Sequence, residues 1–187
     1  MSEPLEVDPR PDDLRSASSL LLVHTGNGKG KSTAAFGTML RAVALEWPVS
    51  VVQFIKSGDW KTGEQKIAEQ LGVTWNALGE GFSWDSDDLS MDALAAQTAW
   101  DMAKSAINSN AFRLVILDEL TYPLNWEWID DEDVYRTLEN RPEKCSVIVT
   151  GRDAPARLID MADTVTEMVE VKHAYQAGIR AKKGIDY

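Results

Sequence analysis

Cysteine is almost absent from this chain. Among 187 residues only Cys145 occurs, within Cys145-Ser146-Val147-Ile148-Val149. A lone thiol rules out an internal disulfide, and the apolar run around it predicts a small core residue in a buried strand. Histidine is nearly as scarce. His24 and His173 are the only two, and neither forms an obvious nucleophile–base pair. Basic residues are outnumbered, 19 Lys and Arg against 30 Asp and Glu, for a formal charge of −11. Phosphate-backbone binding demands clustered Lys and Arg, and no basic run is present, so no nucleic-acid partner is expected. No stretch reaches the roughly 18 apolar residues that a membrane span needs. Residues 1–19 have no apolar core of the signal-peptide kind, so a cytoplasmic location is expected. Internal repeats are lacking too. Residues 1–18, rich in Pro, Asp and Arg, predict a flexible N-terminal arm, and residues 19–187 are long enough for one domain with a full core.

What is present is concentrated in Gly26-Asn27-Gly28-Lys29-Gly30-Lys31-Ser32-Thr33. These residues follow the apolar run Leu20-Leu21-Leu22-Val23 and open a segment of helical character. A strand that feeds a glycine-rich turn and then a helix N-terminus is a phosphate cradle. Glycines let backbone N–H groups converge on an anion, and the helix start adds partial positive charge. Lys31 can reach a terminal phosphate, and Ser32 or Thr33 can offer a hydroxyl to Mg²⁺. The spacing departs from the usual G-x-x-x-x-G-K-[ST]: aligned on Gly30-Lys31-Ser32, the first glycine position is held by Thr25. Because strand, loop, Lys-Ser and helix occur in register, a nucleoside triphosphate is favoured over a glycine-rich turn without a ligand.

Apolar strands then alternate with helical stretches. Strands are expected at 20–25, 49–55, 73–76, 113–118, 145–150 and 164–171, and helices at 31–45, 64–71, 89–108, 130–140 and 155–161. Short, nearly continuous apolar runs suit a parallel sheet covered on both faces. Such alternation predicts an α/β fold, doubly wound and mostly parallel, with ligands at the carboxyl ends of the strands.

Two further constellations carry chemistry. Leu114-Val115-Ile116-Leu117-Asp118-Glu119 is an apolar strand ending in acids. It resembles the element that places a carboxylate near a nucleotide's Mg²⁺; alone it equally fits a solvated strand end, and the upstream phosphate loop favours the metal. Between Gly79 and Asp88, Phe82 and Trp84 sit in a polar, glycine-flanked segment. Large aromatics in such a segment serve as a binding surface or tuck the loop onto the domain.

Together these residues resemble the cob(I)alamin (corrinoid) adenosyltransferases of the CobA/BtuR/CobO type, P-loop NTPase-like (RecA-like) proteins. The likeness runs from about Leu20 to the C-terminus. It rests on 25–37 (TGNGKGKSTAAFG), 51–56 (VVQFIK), Gly63-Glu64, Gly81-Phe82-Ser83-Trp84, 117–122 (LDELTY), 149–152 (VTGR), 162–168 (ADTVTEM) and 171–187 (VKHAYQAGIRAKKGIDY). The shortened phosphate loop, anomalous for an ordinary NTPase, is that family's own pattern. Ser32 stands where many members have Thr, which preserves the hydroxyl, and the N-terminal arm shows little that aligns.

The resemblance implies a function. In this family a reduced corrinoid, as Co(I), attacks the 5′-carbon of ATP, and triphosphate leaves. Co(I) is itself a strong nucleophile, so no protein base is required, in keeping with the missing His pair. Thr25, Gly26, Asn27, Gly28, Lys29, Gly30, Lys31, Ser32 and Thr33 would hold ATP with its γ-phosphate at the loop, the reverse of the usual orientation, and Lys31 would stabilise the departing charge. Ser32 and Glu119, with Asp118 nearby, match the family's Mg²⁺ positions, where Mn²⁺ can substitute. Arg41 and Arg152 match arginines near the nucleotide. Phe82 and Trp84 match the aromatic pair that displaces the corrinoid's lower axial ligand and so eases reduction to Co(I). A homodimer and a flavoprotein electron donor are implied by resemblance alone. The rival class is a phosphotransferase or NTPase that cleaves the γ-phosphate bond.

Overall fold

The computed structural model describes residue 11 and residues 13–57, 62–79 and 89–186. Six strands form one sheet: β1 (Leu21–Thr25), β2 (Val49–Ser57), β3 (Thr74–Gly79), β4 (Leu114–Asp118), β5 (Ser146–Thr150) and β6 (Thr164–Glu167). All pairings are parallel, in the order β3-β2-β4-β5-β1-β6. The connecting helices are α1 (Lys31–Ala44), α2 (Gly63–Gln70), α3 (Leu89–Asn108), α4 (Thr121–Asn125), α5 (Asp131–Glu139) and α6 (Ala156–Met161). The sheet is the doubly wound α/β architecture that the alternation of elements predicts. No helix among the described residues is long and apolar enough to cross a membrane.

Strand alternation sorts the core into two layers. Leu21, Val23, Val115, Leu117, Val147 and Val149 pack against α3, α5 and α6. On α3 the buried residues Ala96, Ala99, Trp100, Ala103 and Ile107 recur at helical spacing, and the alanines let the helix lie close to the strands. The opposite face of the same strands presents Val49, Val51, Leu114, Ile116 and Ile148 to Ala35, Phe36, Met39 and Ala42 of α1. Strand order places β5 between β1 and β4, so the exits of all three lie side by side at the carboxyl edge.

Three departures from expectation have local causes. β6 ends at Glu167 rather than at residue 171, because its partner β1 ends at Thr25, which pairs with Glu167; beyond it the chain turns under the phosphate loop. The single turn α4 lies between the expected strand at 113–118 and the expected helix at 130–140, where no helix is expected. Pro123 is the third residue of that helix, where the N–H has no intrahelical partner to lose. Pro155 precedes the first residue of α6 instead of lying in its first turn. Residues 13–18 are exposed and carry no helix or strand.

Candidate functional site

The first turn of α1 differs from those of α2 and α5. Thr62 caps α2 by accepting the Gln65 N–H at 3.3 Å. Asp130 caps α5 by accepting the Glu132 and Asp133 N–H groups at 3.0 and 3.4 Å, and three acids follow it in the first turn. Those devices satisfy the orphan amides and the helix dipole. α1 has neither: Gly30 supplies no side-chain cap, and no acid occupies the first turn. Its amides remain available to an anion.

The loop before α1 is shaped by its glycines. Gly30 adopts φ +113°, a conformation that side chains rarely tolerate. A Cβ on Gly26 would lie 2.5 Å from the Met168 carbonyl oxygen, and one on Gly28 would lie 2.8 Å from the same atom. The loop is thus pressed against the exit of β6, where the Gly28 N–H donates to Met168 O at 2.7 Å. Lys31 lies within the loop, its ammonium donating to Gly26 O at 2.7 Å and Gly28 O at 2.8 Å. Two of its three donors are used in this way. Burial pulls Lys31 below the usual lysine range; Glu119 opposes that pull, Arg152 adds to it, and Asp118 and Asp153 oppose it. Those four groups are therefore the electrostatic surroundings of the lysine.

Beside the loop, the exits of β2, β4, β5 and β1 carry a row of buried polar side chains on the α1 face: Gln53, Asp118, Thr150 and His24. Gln53 is in register with Asp118, and His24 with Thr150. Gln53 Nε2 donates to Asp118 Oδ2 at 2.7 Å, and the Thr150 hydroxyl donates to Asp118 Oδ1 at 2.8 Å. Glu119, half-buried, has φ +66° and donates its N–H to Thr150 Oγ1 at 3.0 Å. Burial lowers the pKa of His24, and its ring nitrogens have no hydrogen-bond partner among the described residues. Burial also pushes the Tyr122 phenol up; Glu119 adds to that shift and Arg152 opposes it.

The residues expected from sequence separate into groups. Lys31, Asp118, Glu119 and Arg152 come together, with Ser32 next to Lys31 in the first turn of α1. Asp118 is fully buried beneath that group, each carboxylate oxygen bonded. Thr25 uses its hydroxyl to accept the Ala154 N–H at 3.1 Å, tying the β5 exit to the loop. Asn27 and Thr33 are exposed. Lys29 pairs with Asp186 of the C-terminal tail. Arg41 is exposed on α1, ten residues and about 15 Å of helix axis beyond Lys31, so it is not among the groups around the lysine. Phe82 and Trp84 lie outside the described residues. Gln53, Thr150 and Asp153 were missed from sequence. The available signal was polarity at strand ends level with Asp118, where the apolar pattern should continue. A largely apolar cleft of about 400 Å³ runs beside α1, lined by Thr33, Phe36, Leu40, Ile67 and Ile185 among others.

The family profile described as ATP:corrinoid adenosyltransferase BtuR/CobO/CobP matches residues 17–187. The chain belongs to this family. A corrinoid adenosyltransferase of Escherichia coli strain K12 is 42% identical over 182 residues, covering 97% of this chain and 92% of its own. The corrinoid adenosyltransferase CobA of Salmonella typhimurium is 41% identical over 181 residues, covering 97% and 92%. A corrinoid adenosyltransferase of Pseudomonas aeruginosa is 42% identical over 183 residues, covering 97% and 90%. The span shared with the adenosyltransferase family runs from before β1 to the tail, so every group gathered around Lys31 falls inside it.

Proposed function

We propose that this adenosyltransferase-family protein transfers the 5′-deoxyadenosyl group of ATP to the cobalt of a reduced corrinoid, cob(I)alamin or cobyrinate a,c-diamide, releasing inorganic triphosphate. One observation carries the reading: α1 starts uncapped, Lys31 is held in the loop before it, and the strand-end carboxylate of Glu119 and the Arg152 guanidinium are among the charges acting on that lysine. That is apparatus for polyphosphate, and family membership supplies the second substrate. In the reaction the Co(I) electron pair forms the Co–C5′ bond while the C5′–O bond breaks, its pair leaving on triphosphate. The chain's own task is alignment and charge stabilisation. Neither histidine contacts a nucleophile among the described residues. His24 has no hydrogen-bond partner there, and His173 Nδ1 accepts the Tyr175 amide at 3.0 Å. A reaction whose nucleophile is the corrinoid cobalt needs no such pair.

The loop from Thr25 to Thr33 would hold the γ-phosphate end of ATP, with Arg152 near it and Arg41 further along α1. The Ser32 hydroxyl and the Glu119 carboxylate, backed by Asp118, are hard oxygen donors that fit Mg²⁺ or Mn²⁺. The described residues contain no group of three or more His, Cys, Asp or Glu that could cage an ion. This sparse set suits a cation that also takes phosphate oxygens and water and neutralises phosphate charge. The cleft beside α1 offers apolar wall for a bulky partner close to the loop. Phe82 and Trp84 would displace the lower axial ligand of the corrinoid. A flavoprotein electron donor, a homodimeric state and a cytoplasmic location go with this reading. The test is anaerobic: cob(I)alamin absorbance should fall only when protein and ATP are both present. Unchanged absorbance with folded protein and ATP would refute the assignment.

A further inference from the structure

Three hydrogen bonds converge beneath Glu119. Thr150, fully buried at the end of β5, donates its hydroxyl proton to Asp118 Oδ1 at 2.8 Å and accepts the Glu119 N–H at 3.0 Å. Gln53 closes the far side of Asp118 at 2.7 Å. Glu119 is left-handed at φ +66°, which costs a non-glycine residue roughly 1–3 kcal/mol unless its surroundings hold it. The backbone of Thr150 is itself fixed. The next residue, Gly151, has φ +143°, and a Cβ there would lie 1.9 Å from Thr121 Oγ1. The β5 exit is thus wedged against the start of α4, two residues past Glu119.

We propose that Thr150 is a positioning residue for the carboxylate of Glu119. Its single hydroxyl ties the amide of Glu119 to the buried Asp118, and so keeps Glu119 in the left-handed turn from which its side chain lies within electrostatic reach of Lys31. This rests on Glu119 being the carboxylate that faces the nucleotide's Mg²⁺. Asp118, with both oxygens engaged from neighbouring strands, is then a support for that turn. Residues behind a metal ligand commonly alter metal affinity by about 10–100-fold when removed.

The test measures ATP binding by titration calorimetry across a Mg²⁺ series, without corrinoid, alongside thermal midpoints. Thr150→Val keeps the shape and deletes the oxygen. Its Mg²⁺ midpoint should rise about tenfold or more, with little change in ATP binding when Mg²⁺ is absent. Thr150→Ser should restore the parent midpoint to within about threefold, since the oxygen returns. Gln53→Met, which leaves the Thr150–Glu119 bond in place, should lower the thermal midpoint while moving the Mg²⁺ midpoint less than about threefold. A parent-like Mg²⁺ midpoint in folded Thr150→Val overturns the proposal. So does a tenfold shift in Thr150→Ser or in Gln53→Met, and these two variants decide the matter if Thr150→Val does not fold. Glu119→Gln in the same titration separates the two ideas. A shifted midpoint there with a parent-like Thr150→Val removes only the positioning role, whereas an unchanged midpoint removes the metal role and this proposal with it.

Discussion

The two faces of the sheet use the same strands for different ends. Toward α3 and α5 the inward side chains of β1, β4 and β5 are apolar until Thr25 at the very end of β1, and a further polar tie lies at the rim, where Asp133 accepts from Lys104 and Trp100. Toward α1 the same strands begin apolar, at Leu114, Ile116 and Ile148, and finish on Asp118, Thr150 and His24. Burial is equal, so depth does not distinguish the faces. What differs is that one face ends beneath an uncapped helix start and a loop packed with backbone carbonyls. A buried polar group without a partner costs about 1–3 kcal/mol. At this edge Gln53, Asp118 and Thr150 satisfy one another, whereas the His24 ring nitrogens find no hydrogen-bond partner among the described residues, and that cost marks where stability is set aside for a site.

That contrast can be broken from either side. The largest expected effect is on stability at the apolar face. Leu138→Ala, at a fully buried position of α5, should lower unfolding free energy by about 2–5 kcal/mol and leave the turnover of folded protein unchanged. Lys31→Ala should do the reverse, cutting turnover about 10²–10³-fold with little change in thermal midpoint; near-normal turnover would remove the loop from the chemistry.

Smaller effects should divide the two faces by pH. His24 has a pKa lowered by burial from the ordinary 6.5. Its stabilising contribution is complete above 6.5 and declines as pH falls from there through the lower folded value, because the unfolded chain binds the proton first. Asp133 is held at about 2 against an ordinary 3.8, chiefly by its hydrogen bond from Lys104 and then by that from Trp100. Its contribution declines only as pH falls from 3.8 toward 2. Denaturant melts across pH should therefore show His24→Phe flattening the mildly acidic limb and Asp133→Asn the strongly acidic one. If either variant altered the other's limb, the faces would not be independent.

Much of this was legible in the sequence because it depends on local pattern. Nearly continuous apolar runs announced several of the six strands, and Gly30-Lys31-Ser32 at a strand-to-helix junction announced the loop. Glu119 could be found because an acid ends an apolar run. Thr150 and Gln53 could not be singled out the same way. Each is an ordinary polar residue until strand order brings β2, β4 and β5 together, and order is a long-range property. Likewise, the end of β6 is set by the length of β1, and α4 is a five-residue turn too short to carry a helical pattern of its own. The contact between Gly28 and Met168 joins residues 140 apart in the chain, and nothing near either announces it.

The most direct measurement is the identity of the phosphate product. Anaerobic turnover with cob(I)alamin and ATP, followed by phosphorus NMR, should show one inorganic triphosphate for each cobalt–carbon bond formed, with no ADP. ADP and orthophosphate accumulating in step with ATP loss, without a cobalt–carbon product, would contradict adenosyl transfer and make the site that of a phosphate-cleaving enzyme.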